Sequence, residues 1–279
     1  MEIIGTSTAM RTRADAWHAD GKRIGFVPTM GAFHEGHLSL IRQARADCDI
    51  VVVSLFVNPA QFNDPADLAA YPRTEESDAA AARVEGVDAL FAPTVSDMYP
   101  SGAATTVAVG GLEDVLEGAM RGPQHFRGVA TVVARLLNVV AADMLYLGQK
   151  DAQQVAVIKR MAADLAFPVR IVVCPTVREP DGLALSSRNA YLSAEERQRA
   201  VALPNSLRLA RAAILSGEPV SAALRDAKQA LVDAGFLRID YLALVDASTL
   251  EPLDSPQGNM RLVAAAVIGT TRLIDNLAF

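Results

Sequence analysis

Cysteine and histidine are scarce in this chain, with two of the first and four of the second among 279 residues. Two thiols, Cys48 and Cys174, are too few for a disulfide framework, and no CxxC or zinc-spaced cluster can be built from them. A reducing cytoplasm is the compartment this composition suggests. No apolar run approaches the roughly 20 residues of a membrane span. The opening MEIIGTSTAMRTR lacks the basic-then-apolar order of a signal peptide. Basic residues are outnumbered as well: 26 Lys and Arg against 32 Asp and Glu leave a net charge of −6 and a pI near 5.3. That disfavours a dedicated nucleic-acid binder, which usually needs a basic face. Neither nucleic acid nor membrane is therefore an expected partner. No internal repeat or low-complexity tract is present. A composition 51% hydrophobic and 21% charged is that of an ordinary globular protein, long enough for one large domain or two smaller ones.

Over the first ~175 residues, strand-like and helix-like segments alternate, the signature of βαβ units on a parallel sheet. Ile24–Val27 and the wholly apolar Ile50–Val57 read as strands, the second buried on both faces. Asp88–Phe91, Met144–Leu147 and Pro168–Cys174 read as further strands, with helices over Leu38–Arg45 and Thr74–Glu85. Val129, Val132, Val133, Leu136, Leu137 and Val140 recur at helical spacing. So do Val155, Ile158, Ala162 and Leu165, behind Asp151 at a helix start. The texture then changes. Thr176–Asn189 is polar and loop-like around the turn Pro180-Asp181-Gly182. Ser193-Ala194-Glu195-Glu196 matches a capping box, a helix follows over Ser221–Ala234, and strands close the chain at Ile239–Val245, Leu262–Ile268 and Thr271–Asp275. This second part predicts a small α+β domain, with the boundary between 175 and 190.

Four stretches carry chemistry. Pro28–His37 lies between a strand and a helix and holds Gly31, Gly36, His34 and His37, half of the chain's histidines. Such junctions bind ligands in open α/β sheets, and a helix start offers N–H groups and a partial positive charge to phosphate. The order His-Glu-Gly-His does not match the HExxH spacing of a zinc helix. Either both rings cap local backbone or they donate to a phosphate, and the paired glycines favour phosphate. Gly148-Gln149-Lys150-Asp151 repeats the strand-to-helix setting with a lysine. Leu185-Ser186-Ser187-Arg188-Asn189 offers two hydroxyls and a guanidinium, a triphosphate clamp or else a solvated loop with a capping serine. Phe56–Phe62 brings the amides Asn58 and Gln61 to the sheet's carboxyl edge, suited to a small polar substrate or to satisfying a proline turn. The acids Glu75, Glu76 and Asp78 could hold Mg²⁺ or simply open a helix.

Taken together, these stretches resemble one family. Pro28–Leu38 is similar to the PTMGxLHxGHL signature of the pantothenate synthetases (pantoate–β-alanine ligases). FVNPxQF at 56–62, YPRT at 71–74, HFRGV at 125–129, the GEKDxQQ-like 148–154, DGLALSSRN at 181–189 and TTRLIDN at 270–276 follow in the family's order. Gln149 stands where the family has Glu, and Arg121–His125 is one residue longer than its R-P-x-H. The resemblance implies a Rossmann-like parallel-sheet nucleotide-binding domain over 1–176 and a smaller C-terminal α+β lid domain over 177–279, in a homodimer. It implies nucleotidyl-transfer chemistry of the HIGH and KMSKS type: ATP, pantoate and β-alanine to pantothenate, AMP and pyrophosphate through a pantoyl adenylate, a step of coenzyme A biosynthesis. The implied ATP contacts are Met30, Gly31, Ala32, Phe33, His34, Glu35, Gly36, His37, Gly148, Gln149, Lys150, Asp151, Val177, Leu185, Ser186, Ser187 and Arg188. His37, His34, Lys150 and Arg188 are the implied catalytic residues. Gln61 and Gln154 would hold pantoate, Gln61 also β-alanine, and Asp78 a magnesium ion.

Overall fold

Two sheets organise the protein, whose computed structural model describes residues 1–279. The first unit comprises Met1–Gln149 and Val157–Pro175. In chain order it contains β1 (Glu2–Ile4), α1 (Ser7–Ala19), β2 (Ile24–Thr29), α2 (Glu35–Asp47), β3 (Ile50–Leu55), α3 (Pro65–Ala70) and α4 (Glu75–Val84). Then follow β4 (Ala89–Phe91), α5 (Val95–Met98), α6 (Glu117–Arg121), α7 (Gln124–Val140), β5 (Met144–Gly148), most of α8 (Ala152–Asp164) and β6 (Arg170–Cys174). The six strands form a parallel sheet in the order β1-β4-β3-β2-β5-β6. From β2 the chain winds outward through β3 and β4, then returns to β5 on the other side of β2. The crevice beyond the carboxyl ends of β2 and β5 is thus the topological switch point.

The strands are apolar because helices cover both faces. Ile24, Phe26 and Val27 of β2 and Val51, Val52 and Val53 of β3 are fully buried. Cys48 closes the C-terminus of α2 and lies with Cys174 in the apolar cluster beneath that helix, together with Ile41, Val51 and Tyr146. Neither thiol forms a disulfide, and both are buried.

Lys150–Ala156 and Thr176–Phe279 form the second unit. Its helices are α9 (Ala194–Ala200), α10 (Ala202–Leu215) and α11 (Val220–Asp233). Its strands β7 (Arg238–Asp246), β8 (Met260–Ile268) and β9 (Thr271–Ala278) form an antiparallel meander. Leu203, Leu207, Leu231, Leu244, Leu262 and Ile268 anchor its core.

Several expectations need adjustment. Strand β3 stops at Leu55, before the proline turn, rather than at Val57. Helix α8 ends at Asp164, so Leu165 is half-exposed instead of packed. The stretch after Thr176 is not merely loop. Leu185 donates to Val177, Glu179 to Leu183 and Gly182 to Glu179, making a short hairpin about the Pro180–Gly182 turn.

Candidate active site

The loop between β2 and α2 is held by three devices. Gly31 takes φ +92°, and a Cβ there would stand 2.8 Å from Leu55 Cδ1 and 3.0 Å from Asp78 Oδ2, so only glycine fits. Ala32 sits at φ +53°, a left-handed conformation costing an alanine about 1–2 kcal/mol. Asp78 sustains it from the first turn of α4. Its Oδ2 accepts from Ala32 N at 2.9 Å and Thr74 Oγ1 at 2.9 Å, and its Oδ1 accepts from Phe33 N at 2.8 Å. Asp78 is 2% exposed. This revises the expectation of magnesium there: both oxygens are committed to the loop. No three His, Cys, Asp or Glu side chains converge as a metal-holding group, so the residues do not fit a protein-built magnesium site.

The third device is reciprocal capping by the two histidines. His34 is the N-cap of α2, its Nδ1 accepting from Gly36 N at 3.1 Å. His37, at the third helical position, accepts from His34 N through its own Nδ1 at 3.3 Å. The rings lie 4.3 Å apart between centroids, and Phe33 is 5.6 Å from His37. A Cβ on Gly36 would come within 2.7 Å of His34 Cε1, so glycine is the condition for this cap. The capping reading and the phosphate reading are therefore compatible. A backbone N–H can only donate, so each Nδ1 is an acceptor, and in the neutral ring the proton resides on Nε2. Each imidazole thus becomes an N–H donor with fixed tautomer. What is revised is the source of the donors. Gly36 N is spent on His34 Nδ1, and His37 N and Leu38 N on His34 O at 2.8 and 3.2 Å. Ring N–H groups, rather than the helix's first amides, are what this junction presents.

Beside this loop lie the two amides, Asn58 and Gln61. Asn58 is 1% exposed and spends its side chain on scaffolding. Its Oδ1 accepts from Ala60 N at 3.2 Å and Tyr99 Oη at 2.8 Å, while its Nδ2 donates to Gln61 Oε1 and Gly128 O, each at 3.1 Å. Gln61 is thereby oriented with Nε2 turned toward Met30 Sδ, 3.1 Å away. His125 lies in the first turn of α7 rather than on a 121–125 loop, and bonds through Nδ1 to Gln61 O at 2.8 Å. Tyr99 is a site residue that sequence reasoning missed, since only folding brings it to Asn58. Burial pushes its hydroxyl up to about 12, outweighing the opposing Arg135 charge, so it remains a proton donor.

Strand β5 ends at Gly148, and Gln149 N continues the ladder to Cys174 O at 2.9 Å. In the second unit, Lys150 Nζ stands 3.7 Å from Asp151 Oδ1, with Asp151 opening α8 and Gln154 in its first turn. Ser186 Oγ accepts from Arg188 N at 3.3 Å and caps the short turn Ser187–Tyr191. Lys150, Ser186, Arg188, Arg272 and Asp275 line one small pocket of this unit. Lys150 and Arg188 beside the Ser186 hydroxyl suit a polyanion, while Arg272 is held by Asp240 at 2.6 Å. Val177 and Leu185 face each other across the hairpin that leads into Ser186.

A protein-family model described as pantoate-beta-alanine ligase matches residues 2–278. The pantothenate synthetase of Cereibacter sphaeroides is 53% identical over 275 residues, covering 99% of this chain and 98% of that protein. That of Acidiphilium cryptum is 52% identical over 279 residues, covering all of both. Among solved structures, pantothenate synthetase from Thermus thermophilus has a TM-score of 0.92 at 47% identity, covering 99% of each chain. Pantoate-beta-alanine ligase from Francisella tularensis, complexed with β-γ ATP and β-alanine, has a TM-score of 0.82 at 36% identity, covering 100% of this chain and 97% of that one.

Proposed function

Because the chain belongs to the pantoate-beta-alanine ligase family, we propose that it condenses pantoate with β-alanine at the expense of ATP, through a pantoyl adenylate. The observation that carries this reading is the meeting of two motifs: Gln61 Nε2 reaches Met30 Sδ at 3.1 Å, so the Asn58–Gln61 amides adjoin the histidine loop. Adenylation needs a substrate carboxylate and an α-phosphate side by side, and these two elements adjoin in that way.

In the first half-reaction a pantoate carboxylate oxygen attacks the α-phosphorus. The bond from that phosphorus to the bridging oxygen breaks, and pyrophosphate leaves. Met30–His37 bind the nucleotide. His37 and His34, locked as Nε2–H donors, donate to phosphate oxygens as negative charge builds. Lys150, Arg188, Ser186 and Ser187 stabilise the triphosphate and the departing pyrophosphate, while Gly148, Gln149, Asp151, Val177 and Leu185 complete the nucleotide site. Gln149 keeps the length and hydrogen-bonding capacity of glutamate without its charge. In the second half-reaction the β-alanine amine attacks the adenylate carbonyl and loses a proton as the amide forms. The carbonyl–oxygen bond to phosphate breaks and AMP leaves. Gln61 and Gln154 hold pantoate, and Gln61 also β-alanine. Magnesium would come with the ATP phosphates rather than sit in a site built by the protein. The second unit serves as a lid that keeps water from the adenylate, and the enzyme works as a cytoplasmic homodimer in coenzyme A biosynthesis.

The test is pantoate-dependent exchange of labelled pyrophosphate into ATP. Exchange that requires pantoate but not β-alanine supports the adenylate. Absence of exchange, or ADP and phosphate as products, refutes it.

A further inference from the structure

The C-terminal TTRLIDN stretch has no role in the chemistry above, yet its last two residues are among the most buried polar groups of the second unit. Asp275 is 3% exposed and Asn276 4%. Arg178 grips Asp275 with two parallel bonds, Nη1 to Oδ2 at 2.7 Å and Nη2 to Oδ1 at 2.9 Å, and also donates to Gly182 O at 3.0 Å. Asp275 Oδ1 in turn accepts from Asn276 N at 2.7 Å. Across the ladder, Arg261 Nη1 donates to Asn276 Oδ1 at 2.6 Å. A guanidinium has only donors, so the amide atom facing it must be oxygen. The NH2 group is thereby turned the other way, where it donates to the main-chain oxygen of Lys150 at 2.9 Å. The amide's orientation is not arbitrary: a donor stands on one side and an acceptor on the other, 126 residues away along the chain.

We propose that the Arg261–Asn276 pair is a brace that fixes the Lys150 peptide, making Asn276 a positioning residue for the lysine that meets the ATP phosphates. Lys150 sits in the turn between β5 and α8, and its side chain is largely covered, at 19% exposure. Its Nζ can reach a defined phosphate only if the peptide from which it springs is held. The strand β9 supplies that hold, and the Arg178–Asp275 pair anchors the strand to the hairpin leading into Ser186. One buried network therefore sets the spacing of Lys150 and of the serine–arginine loop. The inference rests on the proposed role of Lys150 in the first half-reaction.

Asn276→Asp tests it. The substitution keeps the size and the Arg261 contact but places a carboxylate oxygen, in place of the donor, against the Lys150 carbonyl. The expected result is a fall of about tenfold or more in kcat/KM for ATP in pyrophosphate exchange, the scale of a lost buried hydrogen bond. The second half-reaction, started from supplied pantoyl adenylate and β-alanine, should stay within twofold of wild type. Arg261→Met, which frees the amide to turn, should give the same split at about threefold, the scale of a weakened hydrogen bond. Arg261→Lys, which keeps a donor, should restore it. Should Asn276→Asp fail to fold, the two Arg261 variants decide the matter. Unchanged kcat/KM for ATP in folded variants overturns the proposal, and so does an equal fall in both half-reactions. Wild-type enzyme that performs no exchange at all refutes the adenylate reading instead, which separates the two failures.

Discussion

Replacing Asp78 with asparagine changes one atom and reverses the polarity of one side of a clamp. In the wild type both carboxylate oxygens face donors, with Ala32 N and Thr74 Oγ1 on Oδ2 and Phe33 N on Oδ1. Whichever way the new amide turns, its NH2 must face a backbone N–H. Losing one charge-assisted bond and leaving a buried donor unpaired costs about 2–4 kcal/mol. Nothing then holds Ala32 in its left-handed conformation, so the nucleotide loop relaxes. We expect the transition of the first unit to fall by roughly 5–10 °C in metal-free buffer. The KM for ATP in pyrophosphate exchange should rise by about tenfold or more, from about 1.4 kcal/mol upward of lost loop organisation, with the KM for pantoate little changed. Thermal denaturation and ATP titrations of the exchange reaction measure both. A magnesium ligand at this position would behave differently. An unchanged metal-free melting temperature together with a shifted magnesium requirement would refute the clamp.

Three further outcomes follow from the same geometry. His37→Ala removes a preorganised donor and one half of the α2 cap, so exchange should slow by about 10²–10³ while stability falls by about 1 kcal/mol; near-normal turnover of folded protein would remove His37 from the mechanism. Tyr99→Phe deletes the hydroxyl that orients Asn58, and the KM for pantoate should rise about three- to tenfold with that for ATP unmoved. Because burial raises the Tyr99 hydroxyl above its unfolded value, its share of stability is complete below pH ~10 and lost as pH climbs toward about 12; the phenylalanine variant should lack that alkaline loss in pH-dependent denaturant melts. Burial pushes the Asp240 carboxyl up, but Arg272 at 2.6 Å and Arg238 at 2.6 Å overcome this and hold it below the usual range. Its contribution is then present above pH ~4 and fades as pH drops through the lowered value. Asp240→Asn should be less stable than wild type at pH 7, with the difference closing in strong acid.

The parallel sheet was legible because β2 and β3 are buried on both faces and spell this out as Ile, Val and Phe. Helix α1 was not, since Ser7–Ala19 buries only Met10, Ala14 and Trp17 in a mostly polar run. Within the site, the histidine loop was legible because its residues are neighbours in the chain and sit where β2 ends. Their double role was hidden, because capping depends on ring orientation rather than on spacing. Asp78 looked like one of three acids opening a helix. Only its burial against Ala32 and Phe33 separates it from Glu75 and Glu76, which remain exposed. Tyr99 gives no local signal, and the TTRLIDN motif marks Asn276 without its role, since each meets its partner 41 or 126 residues away.

The two buried thiols offer a way to follow nucleotide binding without turnover. Cys48 closes the very helix whose first residues are His34 and His37, and Cys174 shares its apolar cluster. Burial also pushes the Cys174 thiol up, away from its reactive form. Alkylation must therefore wait for that layer to open. A ligand gripping the start of α2 adds its binding energy to the cost of opening, about 2.7 kcal/mol at a hundredfold excess over Kd. Thiol labelling thus becomes a clock that ATP should slow, and it reads affinity even in variants that catalyse nothing.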